Sequence, residues 1–99
     1  MTAITVTPTP SIGRIVQFRI TEQNAKQINS QRTQAGHATK TGNVAREGDV
    51  YPLLIVRVWG GDLVNGQLFL DGNDSLWITS QPPAKEHGQI GAWFWPERV

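Results

Sequence analysis

The second half of the chain is a series of β-prone runs separated by tight turns, and this spacing constrains the fold more than any other feature. Val50–Trp59 is nearly continuous in branched and aromatic residues, which predicts a strand buried on both faces over part of its length. It ends at Gly60-Gly61-Asp62. Val64–Leu70 then alternates apolar and polar residues and meets Asp71-Gly72-Asn73-Asp74, a strong hairpin signal. These runs predict an antiparallel meander.

Three further runs complete the predicted sheet. Ser75–Ser80 places Leu76 and Ile78 on one face and Trp77 on the other, and the prolines that follow end the strand. Ala92–Trp95 predicts a short last strand. Ile12–Ile20 predicts the first strand, with alternating apolar residues from Ile12 onward on the core face.

Between the first and second strands lies a polar stretch that cannot form a core of its own. In residues 21–32, Thr21 suits a helix N-cap, and Ala25 and Ile28 lie three apart on one face, so we expect a short helix. Residues 34–47 contain two glycines and no periodicity, which predicts a long loop.

Together these elements predict a mainly β fold, a small five-stranded SH3-like barrel with one short helix and a long polar loop after strand 1. A five-stranded OB-type barrel is the main competitor. With 99 residues, 38% of them hydrophobic, the chain has room for one domain, which we place at residues 12–99. Residues 1–11, rich in Thr and Pro, are expected to be an extended arm, either a tail or a strand that pairs with a neighbouring subunit.

Composition excludes several classes of function. The net charge of +1 and the 17% of charged residues argue against a strong field for nucleic acid or membrane. There is no Cys, His37 and His87 lie far apart, and we find no catalytic, phosphate-loop or metal motif, so we expect no cofactor, no metal and no enzymatic activity. Asp71-Gly72-Asn73-Asp74 could suggest calcium, but a hairpin turn explains it better. We read His87 as a solvated residue.

Charge is distributed unevenly along the chain. Residues 14–57 carry seven basic and three acidic side chains, whereas residues 58–99 carry two basic and five acidic ones. Ordinary solubilising charge explains this, but Arg14, Arg19, Arg46 and Arg57 could also line a face that binds anions, since the planar guanidinium donates paired hydrogen bonds to phosphate.

Aromatic residues concentrate in the same half of the chain as the predicted meander. Seven of the eight lie after position 50, including all four tryptophans. They suit core or interface packing, but beside arginine and asparagine they also suit a site that stacks a base and holds its phosphate. The residues that we predict for such a site are Arg46 and Arg57 for phosphate, Trp59, Trp77 and Trp95 for stacking, and Asn65 and Asn73 for hydrogen bonds.

Several separated blocks of the chain resemble a family of small proteins of tailed phages, especially phages of actinobacteria. The blocks are TEQNAKQIN, GDVYPLLIVRVW, VNGQLFLDGNDSLWITS and WFWPERV, in that order. The resemblance implies a phage protein. Small β proteins of phages include minor virion components and oligomeric sponges that capture nucleotide signals of bacterial immunity.

We therefore expect a homo-oligomeric, non-enzymatic protein of the host cytoplasm that sequesters a small nucleotide-derived immune signal. The alternative is a minor virion or assembly component that acts through protein contacts. A nucleic-acid binder on the barrel face is a third reading, weakened by the charge of +1, and we expect no membrane association.

Overall fold

The protein, described by a computed structural model over residues 8–34 and 43–97, forms a five-stranded antiparallel sheet that curls into a half-barrel. This confirms the mainly β prediction, with five strands and one α-helix in the described ranges. The strand order is β4-β3-β2-β1-β5. The elements are β1 (Ile15–Arg19), α1 (Glu22–Gln34), β2 (Val50–Val58), a 3-10 turn (Gly60–Asp62), β3 (Val64–Phe69), β4 (Ser75–Gln81) and β5 (Ala92–Phe94).

The chain beyond β4 turns back to β5 and draws the two edges of the sheet together. Pro83 and Trp93 form a parallel bridge. The Ala84 N–H donates to the Trp93 carbonyl at 2.8 Å, and the Trp93 N–H donates to the Pro82 carbonyl at 2.9 Å. The fold is therefore a small barrel-like sheet, and its SH3-like assignment stays a prediction.

The core lies on the concave side of the sheet, where alternate residues of each strand point. Trp93 is fully buried and donates its indole N–H to the Asp62 carbonyl at 3.0 Å. Trp93 is the largest of the fully buried side chains, so the face of the last strand that carries Trp93 is the one that closes the core. The core also includes Val16, Phe18, Ile20, Ala25, Ile28, Tyr51, Leu53, Ile55, Val64, Leu68, Leu70, Leu76 and Ile78.

Two details of the predicted strands are wrong. The first strand begins at Ile15, and Ile12 is exposed, because a turn with Gly13 at a φ of +91° precedes the strand and breaks the alternation. The second strand is buried on one face only, since β2 alternates between buried and accessible residues as far as the exposed Val56, where a register shift against β3 interrupts the alternation.

The predicted helix is confirmed and extends two residues further than expected. The Thr21 hydroxyl accepts the Asn24 N–H at 3.0 Å, and the Asn24 side-chain oxygen accepts the Thr21 N–H at 3.0 Å, which caps the first turn reciprocally. Ala25 and Ile28 are buried as expected. No helix in the described ranges is long and apolar enough to cross a membrane. Most of the predicted arm (residues 1–7) and of the polar loop (residues 35–42) lies outside the described residues.

Arg32 joins α1 to the hairpin turn between β3 and β4. Its side chain is 3% exposed, and it donates to both carboxylate oxygens of Asp74, at 2.7 and 3.1 Å. It also donates to the carbonyls of Asn43 and, at 3.3 Å, Asp71. The fork of the guanidinium thus holds three segments of the chain together.

Candidate functional site

Four of the seven predicted site residues come together on the convex side of the sheet. Arg57 lies opposite Asn65, and its guanidinium sits 4.4 Å from the centre of the Trp59 ring. Asn65 lies two residues from Gln67 on β3, and Gln67 lies opposite Trp77 of β4. A register shift in β2 between Ile55 and Arg57 leaves both Val56 and Arg57 on the accessible side, so Arg57 and Trp59 border the same surface as Asn65 and Trp77.

The other three predicted residues lie elsewhere. Asn73 is exposed in the β3–β4 turn. Arg46 is exposed beside Asp49, whose carboxylate accepts the Arg46 backbone N–H at 2.9 Å. Trp95 lies directly after β5, the opposite edge of the sheet from Trp77 on β4. The seven residues therefore do not form one site.

The surface around Trp59 has little capacity left for a base. Arg57 covers one face of the indole, and the indole N–H donates to the Asn65 side-chain oxygen at 3.1 Å. That oxygen also accepts the Ser80 backbone N–H at 2.7 Å. The groups left to contact a ligand are one face of the indole ring and the amide N–H groups of Asn65. This surface therefore suits contact with a broad partner surface better than binding of an enclosed small molecule.

A partly enclosed cavity lies instead along β5, outside the core, and we call it the β5 cavity. Its volume is about 580 Å³, within the range of small-molecule sites. The lining residues are Pro8, Gln17, Arg19, Val50, Pro83, Ala84, Glu86, His87, Gly88, Trp93, Phe94, Trp95, Pro96 and Glu97.

One wall of the β5 cavity is the segment of residues 83–88. The bridge between Pro83 and Trp93 anchors its start, and the Lys85 N–H donates to the Gln89 side-chain oxygen at 2.8 Å. The Gly91 N–H donates to the Arg19 carbonyl at 2.7 Å, where Gly91 has a φ of +76°. These bonds hold a proline-interrupted segment beside the sheet, so the wall is part of the fold.

Arg19 provides the cationic group of the cavity. It lies on the convex side of β1, donates to the Gly48 carbonyl at 3.0 Å and stacks 5.6 Å from the centre of the Phe94 ring. Its Nε atom is buried and has no hydrogen-bond partner among the described residues. A buried donor without a partner is uncommon in native structures and calls for a physical explanation.

Aromatic rings form the other side of the cavity. Trp95 meets Trp93 edge to face at 6.0 Å, and the Arg14 guanidinium lies 4.8 Å from a Trp95 ring centre. The Trp95 indole N–H donates to the Pro8 carbonyl at 2.9 Å, so the chain before β1 crosses this end of the cavity. Trp95 is thereby fixed from three sides, which gives the cavity a rigid aromatic wall.

The charges around the cavity are mixed. Arg19 and His87 line it together with Glu86 and Glu97. A carboxylate accepts hydrogen bonds from amino and hydroxyl groups, and a guanidinium donates to phosphate oxygens. The β5 cavity therefore combines an aromatic surface, one strong anion donor and acceptors for polar N–H and O–H groups.

Sequence reasoning found only part of this site. It included Trp95 and counted Arg19 among the arginines of a possible anion-binding face, but it did not select Arg19, Phe94 or His87. The alternation of β1 places Arg19 outside the core, and Phe94 alternates in the same way on β5. The pairing of β1 with β5, which makes these residues neighbours, is a tertiary feature with no local signal in the sequence.

A second, more open depression contains Arg46. It is lined by Arg46, Asp49, Tyr51, Phe69 and Asp71 among others. Burial and the nearby Asp49 carboxylate raise the pKa of Tyr51, whose hydroxyl donates to that carboxylate at 3.4 Å. Arg46 therefore belongs to a shallow groove separate from the β5 cavity.

Neither known proteins nor metal chemistry identifies the site. No group of three His, Asp or Glu side chains that could hold a metal ion occurs in the part of the chain that the structure describes. No family model, curated protein or solved structure gives a significant match to this chain.

Proposed function

We propose that the protein binds a small nucleotide-derived molecule in the β5 cavity and holds it without converting it. The observation that carries the proposal is the placement of the Arg19 guanidinium beside Phe94 and Trp95 in the lining of a cavity of about 580 Å³. A base packs against the aromatic wall, and a phosphate oxygen pairs with the guanidinium.

The carboxylates narrow the class of ligand. Glu86 and Glu97 accept hydrogen bonds from ribose hydroxyl groups or from the amino group of a base, but they repel additional phosphate charge. The cavity therefore favours molecules with few phosphates, such as cyclic AMP, cyclic di-AMP or ADP-ribose, over ATP. Sequestration of such a signal by a phage protein is the role that the resemblance of the sequence suggests.

The test is a thermal-shift screen followed by calorimetry with these four nucleotides. A ligand at 100 times its Kd stabilises the folded state by about 2.7 kcal/mol, which corresponds to a shift of about 10–20 °C for a domain of this size. The ligand should also be recovered unchanged from the denatured complex. No stabilisation by any of the four, or preferential binding of ATP, would contradict the proposal.

Two arginine variants locate the site. Arg19 and Arg57 each stack on an aromatic ring, but only Arg19 lines the β5 cavity. Because Arg19→Gln removes a hydrogen bond between charged groups, we expect it to weaken ligand binding by at least about tenfold. Arg57→Gln should leave ligand binding unchanged. The exposed His87 offers a second cavity variant, His87→Ala, which leaves the core intact. The reverse pattern, weaker binding by Arg57→Gln and unchanged binding by Arg19→Gln, would place the binding site beside Trp59 instead.

A second candidate function, a minor virion or assembly component, is favoured by the exposed aromatic side chains on the convex side of the sheet. Such a component would give abundant peptides of this chain in mass spectra of purified phage particles. A sequestering protein of the host cytoplasm would not.

A further inference from the structure

The convex side of β1–β4 carries a contiguous apolar surface. Ile15, Val56, Phe69 and Trp77 are between 43% and 55% exposed, and Leu54 is half-buried among them. We call these five residues the apolar outer face. Large side chains in such a cluster expose far more apolar surface than isolated apolar residues do, and contiguous apolar patches mark interaction sites.

The strand register makes this surface continuous. Ile15 lies opposite Leu54, Leu54 opposite Gln67, and Gln67 opposite Trp77, so one row of side chains crosses four strands. Phe69 lies two residues beyond Gln67 on the same side of β3. Directly paired side chains on one face of a sheet are about 5 Å apart, so neighbours in the row touch or nearly touch.

Charge is almost absent from this surface. The polar side chains among the apolar ones are uncharged, and the charged side chains lie at its border: Arg57 at one end, and Arg46, Asp49 and Asp71 in the groove beside Phe69 at the other. Depletion of charge together with exposed aromatics is typical of the centre of protein interfaces. A surface without central charge can meet a copy of itself without opposing like charges.

The charges at the two ends of the surface complement each other. Arg57 lies at the end where β3 begins, and the exposed Asp71 lies in the turn after β3. A two-fold axis in the interface plane, perpendicular to the strands, reverses the strand direction in the second copy. It places Arg57 of each copy over the Asp71 end of the other, whereas an axis along the strands would oppose the two Arg57 side chains.

We infer that the apolar outer face binds a second copy of this chain, face to face about such an axis. Four strands about 4.8 Å apart and about six residues long cover roughly 20 by 20 Å, or about 400 Å² on each copy. Stable complexes bury about 1,200–2,000 Å² in total, so this interface lies below that size and forms a reversible dimer. The inference does not depend on the ligand of the β5 cavity.

The test measures molar mass by light scattering and sedimentation from about 10 µM to about 1 mM, the range in which a small interface populates. The wild-type mass should rise from 11.0 kDa toward twice that value. Trp77→Glu and Phe69→Glu should abolish the rise. Ile90→Glu is the matched control, because Ile90 is 43% exposed but lies outside the strands.

Charge reversal tests the orientation. Arg57→Asp should weaken the dimer, and adding Asp71→Arg in the same chain should restore it, while circular dichroism checks that each variant is folded. A wild-type protein that stays monomeric throughout the concentration range would overturn the inference. So would an oligomer that is unaffected by Trp77→Glu and Phe69→Glu, or one that Ile90→Glu disrupts equally.

Discussion

Removing the buried guanidinium of Arg32 should destabilise the fold more than removing any exposed charged group would. Arg32→Met keeps the apolar stem of a side chain that is 3% exposed, but it leaves the Asp74 carboxylate and the Asn43 and Asp71 carbonyls without their donor. Breaking a buried ion pair by removing one partner costs 3–5 kcal/mol in general. Because the Asp74 side chain is 20% exposed, we place the loss near the lower limit, about 3 kcal/mol.

Urea and thermal unfolding measure this loss. A change of about 3 kcal/mol lowers the Tm of a domain of this size by about 12–24 °C. In a double-mutant cycle with Asp74→Asn, the coupling energy should exceed about 1 kcal/mol, because the two residues share two hydrogen bonds. The control is Lys26→Met, which removes the exposed Glu22–Lys26 pair and should change stability by less than about 0.5 kcal/mol. An Arg32→Met effect as small as the control, or additive effects in the cycle, would refute the assigned role.

Three further predictions concern the packing and titration of the fold. Gly66→Ala should cost at least about 2 kcal/mol in urea unfolding, since a Cβ there would lie 2.1 Å from the Leu54 carbonyl oxygen; near-neutral stability would contradict this packing. The hydrogen bond from Arg32 lowers the pKa of Asp74, so the stabilisation of the fold by the ionised Asp74 is present above the ordinary carboxyl pKa of about 3.9 and is lost as pH falls through the lowered pKa. In acid unfolding curves, Asp74→Asn should lack this pH-dependent loss of stability. Burial raises the pKa of Tyr51, the one tyrosine of the chain, so the absorbance of its phenolate should appear only above the ordinary pKa of about 10. The free energy of unfolding should fall as pH rises through the raised pKa, and a phenol that titrates at the ordinary pKa would contradict this prediction.

Local patterns predicted the strands and the helix well. Residues 64–70 and 75–80 alternate with period two against a core on one side only, so their buried and accessible sides follow directly from the sequence. The helix was predictable from the Thr21 cap and the spacing of Ala25 and Ile28, which the structure buries. Each of these features depends on residues close together in the chain.

Features that depend on distant residues were not predictable. Arg32 lies in a polar helix and resembles a solvated side chain in the sequence, and its burial arises from a turn 42 residues away. Likewise, the prolines after β4 predict a break, but the hydrogen bonds of that segment to Trp93 build a cavity wall. Four predicted site residues did come together, but the concave space lies at the other edge of the sheet, beside Trp95.

Amide chemical shifts of isotope-labelled protein, recorded during titration with cyclic AMP, cyclic di-AMP and ADP-ribose, test the central proposal most directly because they report where a ligand binds. The proposal predicts saturable shifts at Gln17, Arg19, His87 and Phe94, and none of comparable size at Arg57. Shifts that cluster around Arg57 and Asn65, or no saturable shift with any of the three nucleotides, would contradict it.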